Sequence, residues 1–127
     1  MKQAKVSRRA FVAGAAALAA APAVVRGQGQ RVFKFALVGC GGRGSGAARE
    51  IIKAAERLGH KAELVAAADF FIEKAKAVCK AHGCDEKAAF GGATGYKQAL
   101  ASDAEIVLLA APPIFRPLHA EACVKAG

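Results

Sequence analysis

Three glycines at a fixed spacing narrow the folds open to this chain: residues 39–44 read GCGGRG. The pattern G-x-G-x-x-G is weak by itself in a chain with 14 glycines. Here, however, a β-branched and aromatic run at residues 32–38 precedes it, and a helical pattern follows it. A strand, a glycine turn and a helix in this order predict the start of a parallel α/β sheet, with the helix N-terminus placed to bind phosphate groups.

The rest of the chain continues the same alternation. The apolar runs predict strands at residues 32–38, 62–68, 88–90 and 106–110. The spacing of apolar residues predicts helices at 45–58 and 72–82, a brief helix capped by Thr94 and ending at Leu100, and a last helix at 117–126. Continuously apolar strands that alternate with helices predict a doubly wound parallel sheet, here a partial Rossmann fold that is incomplete at its C-terminus.

Each residue of the glycine motif has an expected part in binding a dinucleotide. Gly39 allows a tight turn, Gly41 lets the backbone approach a pyrophosphate, and Gly44 lets the helix pack against the strand. Arg43 either contacts a phosphate or points into solvent. These residues make dinucleotide binding the leading prediction for this segment.

The acidic residue at the end of the second predicted strand bears on the choice of cofactor. Asp69 can accept hydrogen bonds from ribose hydroxyls, or it can instead cap the following helix. A carboxylate here repels the 2′-phosphate of NADP, and Phe70 and Phe71 offer that phosphate no donor. Lys74 could offset the repulsion. We therefore expect NAD as the cofactor, with NADP as the alternative.

The N-terminal segment has the pattern of an export signal. Residues 1–9 are basic and end in Ser-Arg-Arg, and residues 10–25 form an alanine-rich apolar run that is too short to span a bilayer comfortably. Ser-Arg-Arg-x-Phe resembles the twin-arginine motif, although a general secretory signal would share its other features. We expect a signal peptide at residues 1–23, a linker at 24–31, the dinucleotide-binding domain at 32–127, a periplasmic location and only transient membrane contact.

The distribution of charge and the spacing of the cysteines argue against a nucleic-acid-binding protein and against a metal-binding protein. Four of the 19 basic residues and none of the 10 acidic residues precede residue 24, so the remainder carries a formal charge of +5 rather than +9. The remaining basic residues are scattered and tryptophan is absent, which disfavours a nucleic-acid partner. The four cysteines and three histidines lack metal-ligand spacing. Cys79 and Cys84 could be bridged in an oxidising compartment, or could simply be small apolar residues.

These residues resemble the Gfo/Idh/MocA oxidoreductases, the family of glucose–fructose oxidoreductase and inositol dehydrogenase. The resemblance rests on FALVGCGGRGSG at 35–46, AAAD at 66–69, Tyr96, and LLAAPPIFRPLHAEACVKAG at 108–127. It implies an NAD- or NADP-binding domain followed by a larger substrate domain. It also implies that Ala111, Pro112 and His119 lie near the nicotinamide half of the cofactor, although His119 could equally be a packing residue.

The family resemblance also marks what this chain lacks. The family's Glu-Lys-Pro segment and a histidine of its second domain are not present, so we expect no catalytic residue here and leave open whether the chain is an enzyme. A sugar or polyol substrate is expected only in a full-length parent. The alternatives are a non-catalytic dinucleotide-binding module and a reductase of another Rossmann family. The predicted cofactor-binding residues are Gly39, Gly41, Gly42, Arg43, Gly44, Asp69, Ala111, Pro112 and His119.

Overall fold

The computed structural model describes residues 29–127, which form one parallel sheet with helices on both faces. The strands are β1 (Val32–Val38), β2 (Lys61–Asp69), β3 (Ala89–Gly91) and β4 (Ile106–Leu109). The helices are α1 (Gly42–Arg57), α2 (Ile72–Ala81), α3 (Gly95–Leu100) and α4 (Arg116–Ala126), with 3-10 turns at Glu86–Ala88 and Pro113–Phe115. None of the helices in this described range is long and apolar enough to cross a bilayer.

The strands are arranged in the order β3-β2-β1-β4, and every pairing is parallel. The chain leaves the central strand β1 in one direction to form β2 and β3, and later returns to its other side to form β4. This reversal of strand order leaves a crevice at the carboxyl ends of β1 and β4, which is where open α/β sheets bind ligands. The predicted α/β fold class is confirmed.

Alternating side chains of β1 build a core on each face of the sheet. Phe35 and Leu37 are fully buried among apolar residues of α1 and α2. Ala36 and Val38 point to the opposite face, where residues of α3 and α4 pack. Because both faces are covered, β1 is apolar at consecutive positions instead of alternating with polar residues.

A bulge in β2 determines which face of the sheet its last residues occupy. Phe35 pairs with Leu64, but Ala36 pairs with Ala66, so Val65 has no partner on β1. One extra residue moves every later side chain of the strand to the opposite face of the sheet from the one that the earlier alternation would give it. Ala67 therefore joins Leu64 in the core beneath α1 and α2. Asp69, two residues further along, lies on that same side.

Several predicted boundaries differ from the structure by one to three residues, and one predicted cap is not formed. Helix α1 begins at Gly42 and not at Ser45, because the last glycines of the motif adopt helical geometry and form its first turn. Thr94 precedes α3, but its side chain makes no capping hydrogen bond because its own backbone is already helical. Helix α4 begins at Arg116, directly after the 3-10 turn. The predicted signal peptide and most of the predicted linker lie outside the described residues.

Candidate functional site

A cleft of about 790 Å³ opens at the carboxyl edge of the sheet, within the size range of small-molecule sites. It runs from the glycine loop past the end of β2 and on to the loop after β4. Eight of the nine predicted site residues line it: Gly39, Gly41, Gly42, Arg43, Asp69, Ala111, Pro112 and His119. Gly44 lies behind this surface and supports it.

Gly39 and Gly44 lie where backbone segments pack too closely for a side chain. Gly39 has a φ of +97°, and a Cβ there would lie 2.4 Å from the amide nitrogen of Ala111. A Cβ on Gly44 would lie 1.8 Å from the carbonyl oxygen of Gly39. Helix α1 therefore rests directly on the turn that follows β1, and that turn rests on the loop after β4. No larger residue fits at either position without a shift of backbone.

The other two glycines leave space in front of the helix. A Cβ on Gly41 or Gly42 would meet nothing within 4 Å, and both residues line the cleft. The first hydrogen bond of α1 runs from the Ser45 amide to the Gly41 carbonyl at 2.9 Å. The backbone amides of the first turn, which precede Ser45, therefore have no acceptor within the helix. The N-cap is a glycine without a capping side chain, and the first turn contains no acidic residue. This arrangement leaves the positive end of the helix dipole free for an anion.

Asp69 is held in a fixed orientation by two backbone donors. The Cys40 amide donates to its Oδ2 at 2.8 Å, and the Phe71 amide donates to its Oδ1 at 2.9 Å. The carboxylate thus joins the glycine loop to the turn before α2. Each oxygen retains a lone pair, so that the group can still accept hydrogen bonds from a ligand in the cleft.

The charge of the cleft lining suits an anionic ligand with apolar rings. Its basic side chains are Arg43, Lys74 and Arg116, and Asp69 is the acidic side chain among the lining residues. Phe71 is 59% exposed, and the Lys74 ammonium lies 5.0 Å from the centre of its ring. Exposed aromatic rings next to cations can stack with a purine base and neutralise phosphate charge.

At the other end of the cleft, the ring of His119 packs against aromatic side chains while one of its nitrogens has no hydrogen-bond partner within residues 29–127. Its ring centre lies 4.5 Å from that of Tyr96 and 6.0 Å from that of Phe115, and the residue is 7% exposed. Burial lowers the pKa of His119, which favours the neutral imidazole. Its Nδ1 is buried and has no hydrogen-bond partner among the described residues. The side chain therefore packs in the fold, and its part in binding the nicotinamide half of a cofactor stays a prediction.

Several cleft residues were not predicted from the sequence. Gly92 lies between β3 and α3, and Tyr96 lies in α3. Phe115 ends the 3-10 turn before α4, and Arg116 begins α4. A positive φ of 80° at Gly92 turns the chain toward the cleft. The glycine itself was a signal for such a turn, but the burial of Tyr96 comes from packing against distant segments, among them His119.

The thiol in the glycine loop is not placed for nucleophilic chemistry. Cys40 is 5% exposed, and its Sγ donates to the carbonyl of Ala68 at 3.5 Å. Burial, together with the charge of Asp69, raises the pKa of Cys40 to about 12. The group therefore stays a protonated thiol at neutral pH and fills space beneath the loop. Across residues 29–127 no cluster of His, Cys, Asp and Glu side chains has the geometry of a metal site.

Comparison with known proteins finds a likeness among solved structures. No protein-family model matches the sequence, and no curated protein shows significant similarity to it. Among solved structures, the chain is similar to the WlbA dehydrogenase from Chromobacterium violaceum, determined in complex with NADH and UDP-GlcNAcA. The identity is 29%, the TM-score is 0.56, and the match covers 80% of this chain. It covers 26% of that dehydrogenase, so this chain spans about a quarter of its length.

Proposed function

We propose that this chain binds a nicotinamide adenine dinucleotide along the cleft, as the cofactor-binding part of an oxidoreductase. The observation that carries the proposal is the free N-terminus of α1, which faces a cleft that is also lined by the fixed carboxylate of Asp69. The pyrophosphate would lie against Gly41, Gly42 and Arg43. The adenosine ribose would lie against Asp69. The likeness to an NADH-bound dehydrogenase supports the same assignment.

The nicotinamide half of the cofactor would occupy the other end of the cleft. Ala111, Pro112 and His119 border that end. When bound, the nicotinamide ring supplies hydride transfer; the residues described here position and enclose it.

We extend the proposal to the family and to the substrate class. The sequence resemblance favours the Gfo/Idh/MocA oxidoreductases, and the similar dehydrogenase was determined with a UDP-sugar as well as NADH. We therefore propose that the complete protein oxidises or reduces a sugar or polyol. That reaction requires a substrate-binding part, which in the family follows the cofactor domain.

Titration of the full chain with NADH tests the proposed binding. We expect saturable enhancement of NADH fluorescence, and displacement of NADH by NAD. Gly41→Val should weaken binding by about tenfold or more, because the new side chain occupies the path of the pyrophosphate. Gly46→Val is the matched control: this glycine lies on α1 away from the main cleft, and a Cβ there meets nothing within 4 Å.

Two results would contradict this assignment. One is the absence of saturable binding of either NADH or NAD by a chain whose circular dichroism shows the folded α/β domain. The other is equal loss of affinity in Gly41→Val and Gly46→Val, which would place the ligand elsewhere.

We also propose that the protein is exported to the periplasm through the twin-arginine route. The Ser-Arg-Arg-x-Phe motif motivates this proposal. Substitution of both Arg8 and Arg9 by Lys should abolish export of a fused reporter, because the route requires the guanidinium pair and not merely positive charge. Substitution of Lys2 and Lys5 by Arg is the control that preserves the pair. Unchanged export of the Arg8 and Arg9 double variant would contradict the assignment.

A further inference from the structure

The C-terminal end of α2 brings two cysteines together. Gly83 has a φ of +71° and turns the chain back over the last helical residues. The Cys84 amide then donates to the Cys79 carbonyl at 2.9 Å, a bond that spans five residues. This is the long hydrogen bond of a Schellman helix end, a motif in which the two side chains at these positions usually make an apolar contact. Here both positions are cysteines.

The two thiols differ in exposure and in acidity. Cys79 is fully buried in the core beneath α1 and α2, whereas Cys84 packs against the same core and remains partly exposed. Burial raises the pKa of both, to about 12 for Cys79. The proximity of the two thiols raises the pKa of Cys79 further and acts to lower that of Cys84, whose Sγ donates to the Asp85 carbonyl at 3.7 Å. Cys84 is therefore the thiol that an external reagent meets, and also the one that ionises more readily.

We propose that Cys79 and Cys84 are a disulfide site, oxidised by exchange with a low-molecular-weight disulfide. The Cys84 thiolate attacks one sulfur of the reagent, forming a mixed disulfide and releasing one reagent thiol. Cys79 then loses its proton and attacks Cys84 Sγ, which releases the second reagent thiol and closes the bridge. The two thiols of the protein lose two electrons and two protons, and the reagent disulfide is reduced to two thiols.

The remaining cysteines of the described range are not positioned to compete. Cys40 lies under the glycine loop, where its thiol is bonded to the Ala68 carbonyl. Cys123 is partly exposed but lies on α4, in the helical layer on the other face of the sheet. Cys123 therefore serves as an internal control: a reachable thiol without a neighbouring one.

Peptide mapping after exposure of the full chain to oxidised glutathione tests the proposal. After remaining thiols are alkylated, trypsin cleaves at Lys80 and separates Cys79, in residues 77–80, from Cys84, in residues 81–87. We expect these two peptides to appear joined by a disulfide, with a mass two hydrogens below the sum of the two free peptides. Cys123 should appear as a glutathione adduct. In Cys79→Ser, Cys84 should also accumulate as a glutathione adduct, because no second thiol displaces the glutathione.

The folded end of α2 should favour the second step, in which Cys79 displaces glutathione from Cys84 and closes the bridge. We expect the ratio of bridged Cys84 to glutathione-bound Cys84 to be at least about tenfold higher in native buffer than in concentrated urea. A persistent glutathione adduct on Cys84 in the native wild type, a bridge from Cys84 to Cys40 or Cys123, or an equal ratio in urea would each overturn the proposal.

Discussion

Gly44→Ala should unfold or strongly destabilise this domain, although it adds a single methyl group. The new Cβ would lie 1.8 Å from the Gly39 carbonyl oxygen and 3.0 Å from its carbon. Both atoms belong to backbone that is itself fixed, because the Gly39 amide donates to the Ala68 carbonyl at 2.8 Å. Relief requires α1 to move away from the end of β1. We expect a loss of about 3 kcal/mol or more in the free energy of unfolding.

The same displacement should remove dinucleotide binding, because the amides that face the cleft belong to the first turn of α1. Urea denaturation followed by circular dichroism measures the loss of stability, and NADH titration measures the loss of binding. Gly46→Ala is the matched control: it lies in the same helix, its Cβ meets nothing within 4 Å, and alanine favours a helix over glycine by about 1 kcal/mol. Gly46→Ala should therefore be neutral or slightly stabilising.

Equal unfolding midpoints for the two variants, with NADH affinity unchanged, would contradict this account of the motif. It would mean that α1 is not seated on the Gly39 turn. A stable Gly44→Ala that loses only NADH binding would show that the helix moves without cost to the core, and would locate the effect in the site alone.

The sequence predicted the strands and the glycine loop well because their signals are local. The run at 32–38 matches β1 at both ends, since apolar β-branched and aromatic residues stop abruptly at Gly39. The start of α1 was misplaced because glycine has a low intrinsic helix propensity. In the structure, tight packing against Gly39 and Ala110 holds Gly44 in the helix despite that propensity.

The features that were missed depend on contacts between distant segments. The bulge at Val65 is invisible in KAELVAAAD, since every residue from Leu64 to Ala68 is apolar and either register would bury them. Yet the bulge sets the side of the sheet on which Asp69 lies. Likewise, the sequence left His119 as either a packing residue or a site residue, because its packing depends on Tyr96, 23 positions earlier. Sequence periodicity describes one element at a time and does not contain such contacts.

Asp69 should give the wild-type protein a preference for NAD over NADP of about ten- to a hundredfold, because its carboxylate repels a 2′-phosphate in a partly desolvated cleft. Hydrogen bonds from Cys40 and Phe71 hold the carboxylate in place, so it cannot rotate away from the phosphate without losing a backbone partner. Lys74 acts in the opposite sense, since its ammonium lies over the neighbouring Phe71 ring and can reach an added phosphate.

Variants at these two positions separate charge from structure. Asp69→Asn keeps the shape of the side chain and removes its charge, so it should reduce the ratio of NAD to NADP affinity. Its amide nitrogen cannot accept a hydrogen bond, so one of the two backbone amides also loses its acceptor. Asp69→Ala should reduce the ratio as well, and should also cost about 1–3 kcal/mol in stability because both backbone amides lose their acceptor. Lys74→Met keeps an apolar stem over Phe71 and should raise the ratio.

Calorimetric titration of each variant with NAD and NADP measures these ratios. Tighter binding of NADP by the wild type would contradict the prediction. If both Asp69 variants instead lose stability while the ratio stays unchanged, the carboxylate serves only to join the glycine loop to the turn before α2.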